Sequence, residues 1–216
     1  MIRRRAVLLG AAGAFCAGMS PDLPVPAGDR LTFRIIRKGS DIGRHEITFA
    51  PEGDVLTVTI AVDIAVGIGP VVLFRYTHRA TERWHGHDLA SMDTETNEDG
   101  TRTRLALQRV GGGLVVQSSK FPTYVAPGNA LPGSHWNEKM LDGPIINTEH
   151  GKLLRPQVTA LKEEPVPVAS GGTIEARHFA VRGDANLDTW YDAAPSWVGL
   201  RFTAREGSEV RLERMI

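Results

Sequence analysis

The stretch VLTVTIAVDIAV, residues Val55–Val66, alternates without a break between large aliphatic residues and smaller or polar ones. Side chains two positions apart on a β-strand point to the same face of a sheet. One face therefore carries Leu56, Val58, Ile60, Val62, Ile64 and Val66, and the other carries Thr57, Thr59, Ala61 and Asp63. A strand with one aliphatic and one polar face is typical of an antiparallel sheet that covers a core on one side only.

The same alternation recurs on both sides of this stretch. Phe74–Trp84 has an unbroken polar face, and Leu31, Phe33 and Ile35 alternate with polar neighbours. Further strands are predicted at Thr101–Val110, Leu114–Ser118, Lys152–Leu161, Thr173–Arg182, Asn186–Asp192, Trp197–Ala204 and Glu209–Arg214. Short segments rich in Gly and Asp separate the strands, which favours hairpin connections.

These patterns predict an all-β protein. About ten antiparallel strands should form a strongly curved sheet, as a half-open or closed barrel, because so many twisted strands do not stay flat. One interruption, Phe121–Asp142, contains Pro122, Pro127 and Pro132. It is interpreted as a long crossover loop that ends in one helical turn.

Composition excludes several classes of protein. The 216 residues include 25 Lys+Arg, 25 Asp+Glu and 42% hydrophobic residues, as in a globular protein rather than a disordered one. The balanced charge gives no footprint for nucleic acid, so no nucleic-acid partner is expected. A single cysteine excludes an internal disulfide and a multi-cysteine zinc site.

The N-terminus resembles an export signal, with Arg3-Arg4-Arg5, a short apolar run from Ala6 to Ala17, and small residues after it. The run is too short for a transmembrane anchor. The predicted segments are a signal peptide at 1–18, an extended lead-in at 19–29 and a single β domain at 30–216. The product should be periplasmic or secreted, through either a twin-arginine-like or a general secretory signal. Lipid attachment at Cys16 is not expected, because the bulky Phe15 precedes it.

Several short segments resemble one known family. They are Phe74-x-Tyr76-x-His78-Arg79 with Arg83-Trp84, Asp99-Gly100, Ser134-His135-Trp136-Asn137, Thr148–Leu153 and Trp190-Tyr191-Asp192. The chain from about Leu31 onward is similar to a family of exported bacterial β-rich proteins catalogued as a domain of unknown function. The resemblance implies export and an antiparallel sheet. It implies no activity and no catalytic residues.

The inner faces of two predicted strands carry ionisable residues. His78 and Glu82 share a face with Phe74, Tyr76 and Trp84, and His45 shares one with Ile47 and Phe49. A histidine beside a carboxylate in a cleft is a candidate for proton transfer or ligand orientation. A hydrogen-bonded polar network at the rim of the sheet is the other interpretation.

The crossover loop supplies the remaining candidates. Trp136 either plugs the open end of the sheet or forms a pocket wall with His150 or Tyr191. The proposed pocket set is thus His45, Tyr76, His78, Glu82, Trp136, Asn137, His150 and Tyr191. No catalytic residues, metal ligands or cofactors are assigned, since His85-Gly-His87-Asp88 has the composition of a hairpin turn and phosphate-binding and His-Glu-x-x-His motifs are absent.

Three functions remain compatible with the sequence. The first is non-catalytic binding of a small apolar, amphipathic or lipid-like ligand in the hollow of the sheet. The second is a structural or interaction module whose hollow is filled by its own side chains. The third is a hydrolase or isomerase that uses His45, His78 and Glu82. The sequence predicts no oligomeric state.

Overall fold

A computed structural model describes residues 23–68 and 71–216. The predicted signal peptide, Cys16 and the start of the lead-in lie outside the described residues. The strands of the described chain are β1 (Arg30–Arg37), β2 (Ser40–Glu52), β3 (Val55–Ile68), β4 (Val71–His85), β5 (Asp88–Glu98), β6 (Thr101–Val110), β7 (Gly113–Ser118), β8 (Tyr124–Pro127), β9 (Leu131–Pro132), β10 (Ile145–Ile146), β11 (Leu153–Leu154), β12 (Gln157–Ala160), β13 (Glu164–Pro167), β14 (Thr173–Arg182), β15 (Leu187–Tyr191), β16 (Trp197–Thr203) and β17 (Glu209–Arg214).

One antiparallel sheet of 14 strands makes up most of the fold. Its order is β12-β14-β15-β16-β17-β1-β2-β3-β4-β5-β6-β7-β8, and β13 also pairs with β14. The first eight strands form a meander, and the last strand, β17, returns to pair with β1. The all-β, antiparallel prediction is confirmed.

The predicted strand number and the closed-barrel option are wrong. The sheet has 14 strands rather than about ten, and within residues 23–68 and 71–216 its edges β8 and β12 do not pair with each other. Short strands account for much of the difference. Glu164–Pro167 contains two prolines, which lack backbone N–H donors. Since proline is rare within strands, strand propensity does not predict this one.

The sheet is strongly curved around one hollow. Residues from β14, β15, β16, β17 and β1 to β5 all line a single cavity of about 770 Å³. Nine flat strands at about 4.8 Å spacing would extend over roughly 38 Å, far more than the width of such a cavity. The strands must therefore wrap around it.

The strand boundaries show where alternation is informative. Thr101–Val110, Thr173–Arg182 and Glu209–Arg214 are strands with the predicted bounds. Predicted strand Lys152–Leu161 is instead two short strands, Leu153–Leu154 and Gln157–Ala160. Pro156 lies between them, and a proline cannot donate to a strand ladder.

The interruption Phe121–Asp142 is a loop only in part: Tyr124–Pro127 is the edge strand β8, and the residues that follow it pack into the hollow. Its helical turn is a 3₁₀ helix, Glu138–Asp142, capped by the Asn137 side chain, which accepts from the Lys139 N–H at 3.1 Å. Trp136 and Met140 belong to the same core as the strand residues Phe49 and Trp84. Strand β9 pairs with β10, which pairs with β11, so this region and the chain just after it form a separate three-stranded sheet.

Two smaller findings concern the ends of the domain and membranes. Leu23 is buried in the main core, so the described part of the segment expected as a lead-in contributes to packing. In the part of the chain that the structure describes, no helix has the length and apolar character needed to cross a bilayer.

Candidate functional site

The candidate site is the cavity of about 770 Å³ between the concave face of the sheet and the crossover region. Its volume falls within the range of about 300–1,000 Å³ that is usual for small-molecule pockets. Most of the wall is aliphatic or aromatic, and comprises Ile35, Ile42, Ile60, Val62, Ile64, Val66, Phe74, Met140, Ile145, Leu154, Val181, Ala185, Leu187, Leu200, Phe202, Ala204, Val210 and Leu212.

The register of β2, β3 and β4 explains why only part of the concave face of the sheet borders the cavity. Ile47, Ile60 and Ala80 stand side by side on β2, β3 and β4, and all three are buried in the core. Four residues further along β3, Ile64 lies between Gly43 and Tyr76 and is only partly buried. The aliphatic face of β3 therefore runs from packed core into the cavity wall.

A row of polar residues marks the boundary between these two halves. His45 on β2 and His78 on β4 flank Val62 on β3 in register. Both residues line the cavity, and they are only 8% and 5% exposed. Alternation along the two strands places them there, as the sequence predicts.

His135 joins them from the crossover region, and we refer to His45, His78 and His135 as the histidine cluster. His135 has φ of +67° and also lines the cavity. Its ring stacks on Trp197 with centroids 5.3 Å apart, while His45 meets the same indole edge-on at 5.2 Å. The Tyr191 hydroxyl donates to the His135 carbonyl at 2.7 Å, which fixes this backbone.

Burial keeps the histidine cluster neutral. It lowers the pKa of His45 from 6.5 to about 3, and the pKa values of His78 and His135 from 6.5 to about 4. Water no longer solvates the charged imidazolium there, so the uncharged form is favoured. At pH 7 the inner end of the cavity is thus polar but uncharged.

Hydrogen bonding within the histidine cluster is incomplete. His78 Nδ1 lies 2.8 Å from the Thr96 hydroxyl oxygen. His45 Nε2 and His135 Nδ1 are enclosed and have no hydrogen-bond partner among the described residues. Such atoms are uncommon in folded proteins, because an unpaired buried polar group costs about 1–3 kcal/mol.

A buried carboxylate lies outside the cavity wall and ties the crossover region to the sheet. Glu82 is fully buried, and its Oε2 accepts from Trp84 Nε1 at 2.8 Å and from Trp136 Nε1 at 2.9 Å. Burial raises the pKa of Glu82, although the indole bonds oppose the shift. Trp136 also packs edge-on against Trp84 and Phe49, with centroids 5.4 Å apart in each case.

Paired charges surround the opposite, more exposed part of the cavity. Arg37 lies 2.6 Å from Glu206, and Arg205 lies 3.7 Å from Glu98. The Tyr76 hydroxyl donates to Glu149 at 2.6 Å. Burial and the neighbouring Glu149 carboxylate raise the pKa of Tyr76, so this phenol stays protonated. Arg37 and Arg205 thus each have a carboxylate beside them.

The residues singled out by sequence fall into three groups. His45, Tyr76 and His78 line the cavity. Glu82, Trp136, Asn137 and Tyr191 are buried and hold the crossover region in place, as their hydrogen bonds show. His150 lies edge-on to Phe121 at 5.7 Å and is not among the residues that line the cavity.

His135 is a cavity residue that the predicted pocket set does not include. Its sequence signal is the Ser134-His135-Trp136-Asn137 segment in a proline-rich loop, from which the predicted set took only Trp136 and Asn137. The loop's entry into the hollow, which follows from tertiary packing, gives His135 its position.

The arrangement does not bring a histidine and a carboxylate together as a proton-transfer pair. Glu82 is four residues from His78 along β4, a separation of about 13 Å at the usual strand rise. Its bonded partners are the two indoles. Among the described residues, no group of three or more His, Cys, Asp or Glu side chains is placed to hold a metal ion.

Comparison with known proteins agrees with the fold. The sequence profile of the domain of unknown function DUF6134 matches residues 33–215. A crystal structure described as a beta-barrel-like protein of domain of unknown function DUF1849, from Brucella abortus, is similar with a TM-score of 0.60 and 15% sequence identity. The alignment covers 86% of this chain and 94% of the other. No curated protein matches the sequence.

Proposed function

We propose that this chain, which belongs to the DUF6134 family, binds a small apolar or amphipathic ligand in the cavity without catalysis. The observation that carries the proposal is the cavity of about 770 Å³, whose wall is mainly aliphatic. A small-molecule site of this kind combines an apolar wall with a few polar groups that orient the ligand. The histidine cluster supplies such groups.

The position of the crossover region supports binding over a self-filled core. Trp136 and Met140 fill one end of the hollow and pack with Phe49 and Trp84. At the other end Val62, Ile64 and Val66 remain only partly buried although they continue the same aliphatic face. Leaving aliphatic surface uncovered gives up about 25 cal/mol per Å², which a ligand would recover.

Proton-transfer catalysis has less support. A general acid or base needs a partner within hydrogen-bond reach, and Glu82 is bonded to the two indoles instead. The histidine cluster is neutral at pH 7 and has no carboxylate bonded to it among the described residues. These features suit the orientation of a ligand rather than its conversion.

We also propose that the protein acts outside the cytoplasm, after export. Support comes from the sequence: the cationic start, the short apolar run and the small residues before Met19. Fractionation of the native host followed by intact-mass measurement tests this. A mature chain that begins near residue 19 in the periplasmic or secreted fraction is expected, and a full-length cytoplasmic chain would contradict it.

Titration with N-phenyl-1-naphthylamine, whose fluorescence rises in apolar surroundings, tests ligand binding. The wild type should enhance this fluorescence saturably. Val62 lines the cavity, so Val62→Phe places a larger side chain in the space that the probe would occupy. Overpacking of this kind costs around 1 kcal/mol or more, and we therefore expect binding to weaken by at least about tenfold.

Val125→Phe is the matched control, because Val125 is 67% exposed on the edge strand β8. It should bind the probe like the wild type. If Val62→Phe, folded by circular dichroism, binds the probe as tightly as Val125→Phe, the cavity is not the binding site. Absence of saturable binding by the wild type would favour the structural module instead.

A further inference from the structure

The unpaired nitrogens of the histidine cluster determine which atoms can face a ligand. A neutral imidazole has one N–H donor and one bare nitrogen acceptor. His45 Nε2 and His135 Nδ1 are enclosed without a partner among the described residues. An orphaned buried N–H is rarer than an orphaned acceptor, so the proton belongs on the other nitrogen of each ring.

That assignment turns the donors towards the open space. His45 and His135 both line the cavity, and the remaining nitrogens, His45 Nδ1 and His135 Nε2, are not among the enclosed atoms that lack a hydrogen-bond partner. The two rings meet on one indole, Trp197, which fixes them relative to each other. Two N–H donors then lie at the inner end of a mainly aliphatic wall.

The charges of the site select the type of acceptor. The arginines at the cavity, Arg37 and Arg205, lie beside Glu206 and Glu98. The histidine cluster is uncharged at neutral pH, so an ionised head group at the inner end would lack a compensating cation and would be costly to bury. An uncharged carbonyl oxygen accepts two N–H bonds through its two lone pairs without that cost.

On the basis of the proposed binding function, we propose that the cavity binds an apolar chain through an uncharged carbonyl oxygen, held by His45 and His135. An ester and an un-ionised carboxylic acid share this chemistry. The aliphatic wall formed by Val62, Ile64 and their neighbours would enclose the chain. The paired charges at the exposed part of the cavity would face its far end.

The test compares two volatile probes that differ in one carbonyl, nonane and 2-nonanone. Headspace depletion over protein solutions gives the dissociation constant of each. In His45→Phe the ratio of ketone to alkane affinity should fall by about tenfold relative to the wild type, because one buried hydrogen bond is lost. Alkane binding reports whether the cavity itself survives the substitution.

His150→Phe is the matched control, because His150 contacts Phe121 and does not line the cavity. It should leave the ratio unchanged. His135→Asn provides a second variant if His45→Phe fails to fold, since asparagine tolerates the positive φ and its shorter side chain withdraws from the ligand. The ratio should fall in that variant as well.

Each result is decisive. An unchanged ratio in folded His45→Phe or His135→Asn, with both probes still bound, overturns the carbonyl assignment and leaves the binding function standing. Failure of the wild type to bind either probe overturns the binding function together with it. Comparison of methyl nonanoate with nonanoic acid at pH 5 and pH 7 then separates the two sources: an ester is insensitive to this change in pH, and the acid binds more weakly at pH 7.

Discussion

The buried Glu82 carboxyl offers the sharpest test of how this fold is held together. Its Oε2 accepts both indole N–H groups, from Trp84 and Trp136, and so links β4 to the crossover region. Glu82→Met removes the acceptor while keeping most of the volume. It orphans two buried donors at about 1–3 kcal/mol each, so we expect a loss of about 3 kcal/mol in the free energy of unfolding at pH 7.

Glu82→Gln should behave differently. The amide carbonyl can accept from the same indoles, and the substitution removes a carboxyl whose pKa is raised by burial. Because the pKa of Glu82 is raised in the folded state, there is a pH range in which the folded chain still holds the Glu82 proton and the unfolded chain has released it. Stability therefore falls as the pH rises from about 4.5 to the raised value, and the amide removes this loss. Glu82→Gln should be at least as stable as the wild type at pH 7.

Urea unfolding, followed by far-ultraviolet circular dichroism from pH 4 to pH 8, measures these differences. Glu175→Gln is the control, because Glu175 is exposed on β14 and should shift stability by less than about 0.5 kcal/mol. The advantage of Glu82→Gln over the wild type should grow with pH above 4.5. If Glu82→Gln loses as much stability as Glu82→Met at pH 7, the charged carboxylate is required and the reasoning is refuted.

Three further outcomes are expected in urea unfolding. Gly43→Ala should lose about 2 kcal/mol, because its Cβ would overlap the Asp63 carbonyl oxygen, whereas Gly28→Ala, with open space around it, should be near neutral. Wild-type stability should fall as the pH drops from 6.5 towards 4, by up to about 3 kcal/mol for each ring of the histidine cluster, because the unfolded chain takes up protons that the folded chain does not. Arg177→Gln should lose about 1 kcal/mol by breaking its two bonds to Glu138, 2.8 and 2.5 Å long, and equal stability to the wild type would contradict this.

Alternation alone predicted which side chains point inward. His45, His78 and Glu82 share the buried face with the aliphatic residues of β3, as their spacing requires. The reason is local: a strand fixes the side of each residue whatever surrounds it. The general topology follows from the hairpin turns for the same reason, since consecutive antiparallel strands are neighbours.

Alternation could not predict what covers the inward face. Strand Asp88–Glu98 carries Thr94 and Thr96 on its buried side. Because these inward residues are polar, alternation of apolar residues does not identify the strand. The pairing of β17 with β1 and the entry of Trp136 into the hollow are contacts between distant parts of the chain. Such contacts depend on packing, and no short window of sequence encodes them.

The row of His45, Val62 and His78 gives the clearest link between fold and function. On one side of it the inner face is covered by the crossover region, and on the other side the same face is open. Leucine or phenylalanine in place of the two histidines would pack without unpaired nitrogens and without lowered pKa values, and so would suit a purely structural core better. Polar groups that reduce stability at the inner end of an apolar cavity are expected where a ligand must be recognised, because the ligand completes the hydrogen bonds of the nitrogens that face the cavity.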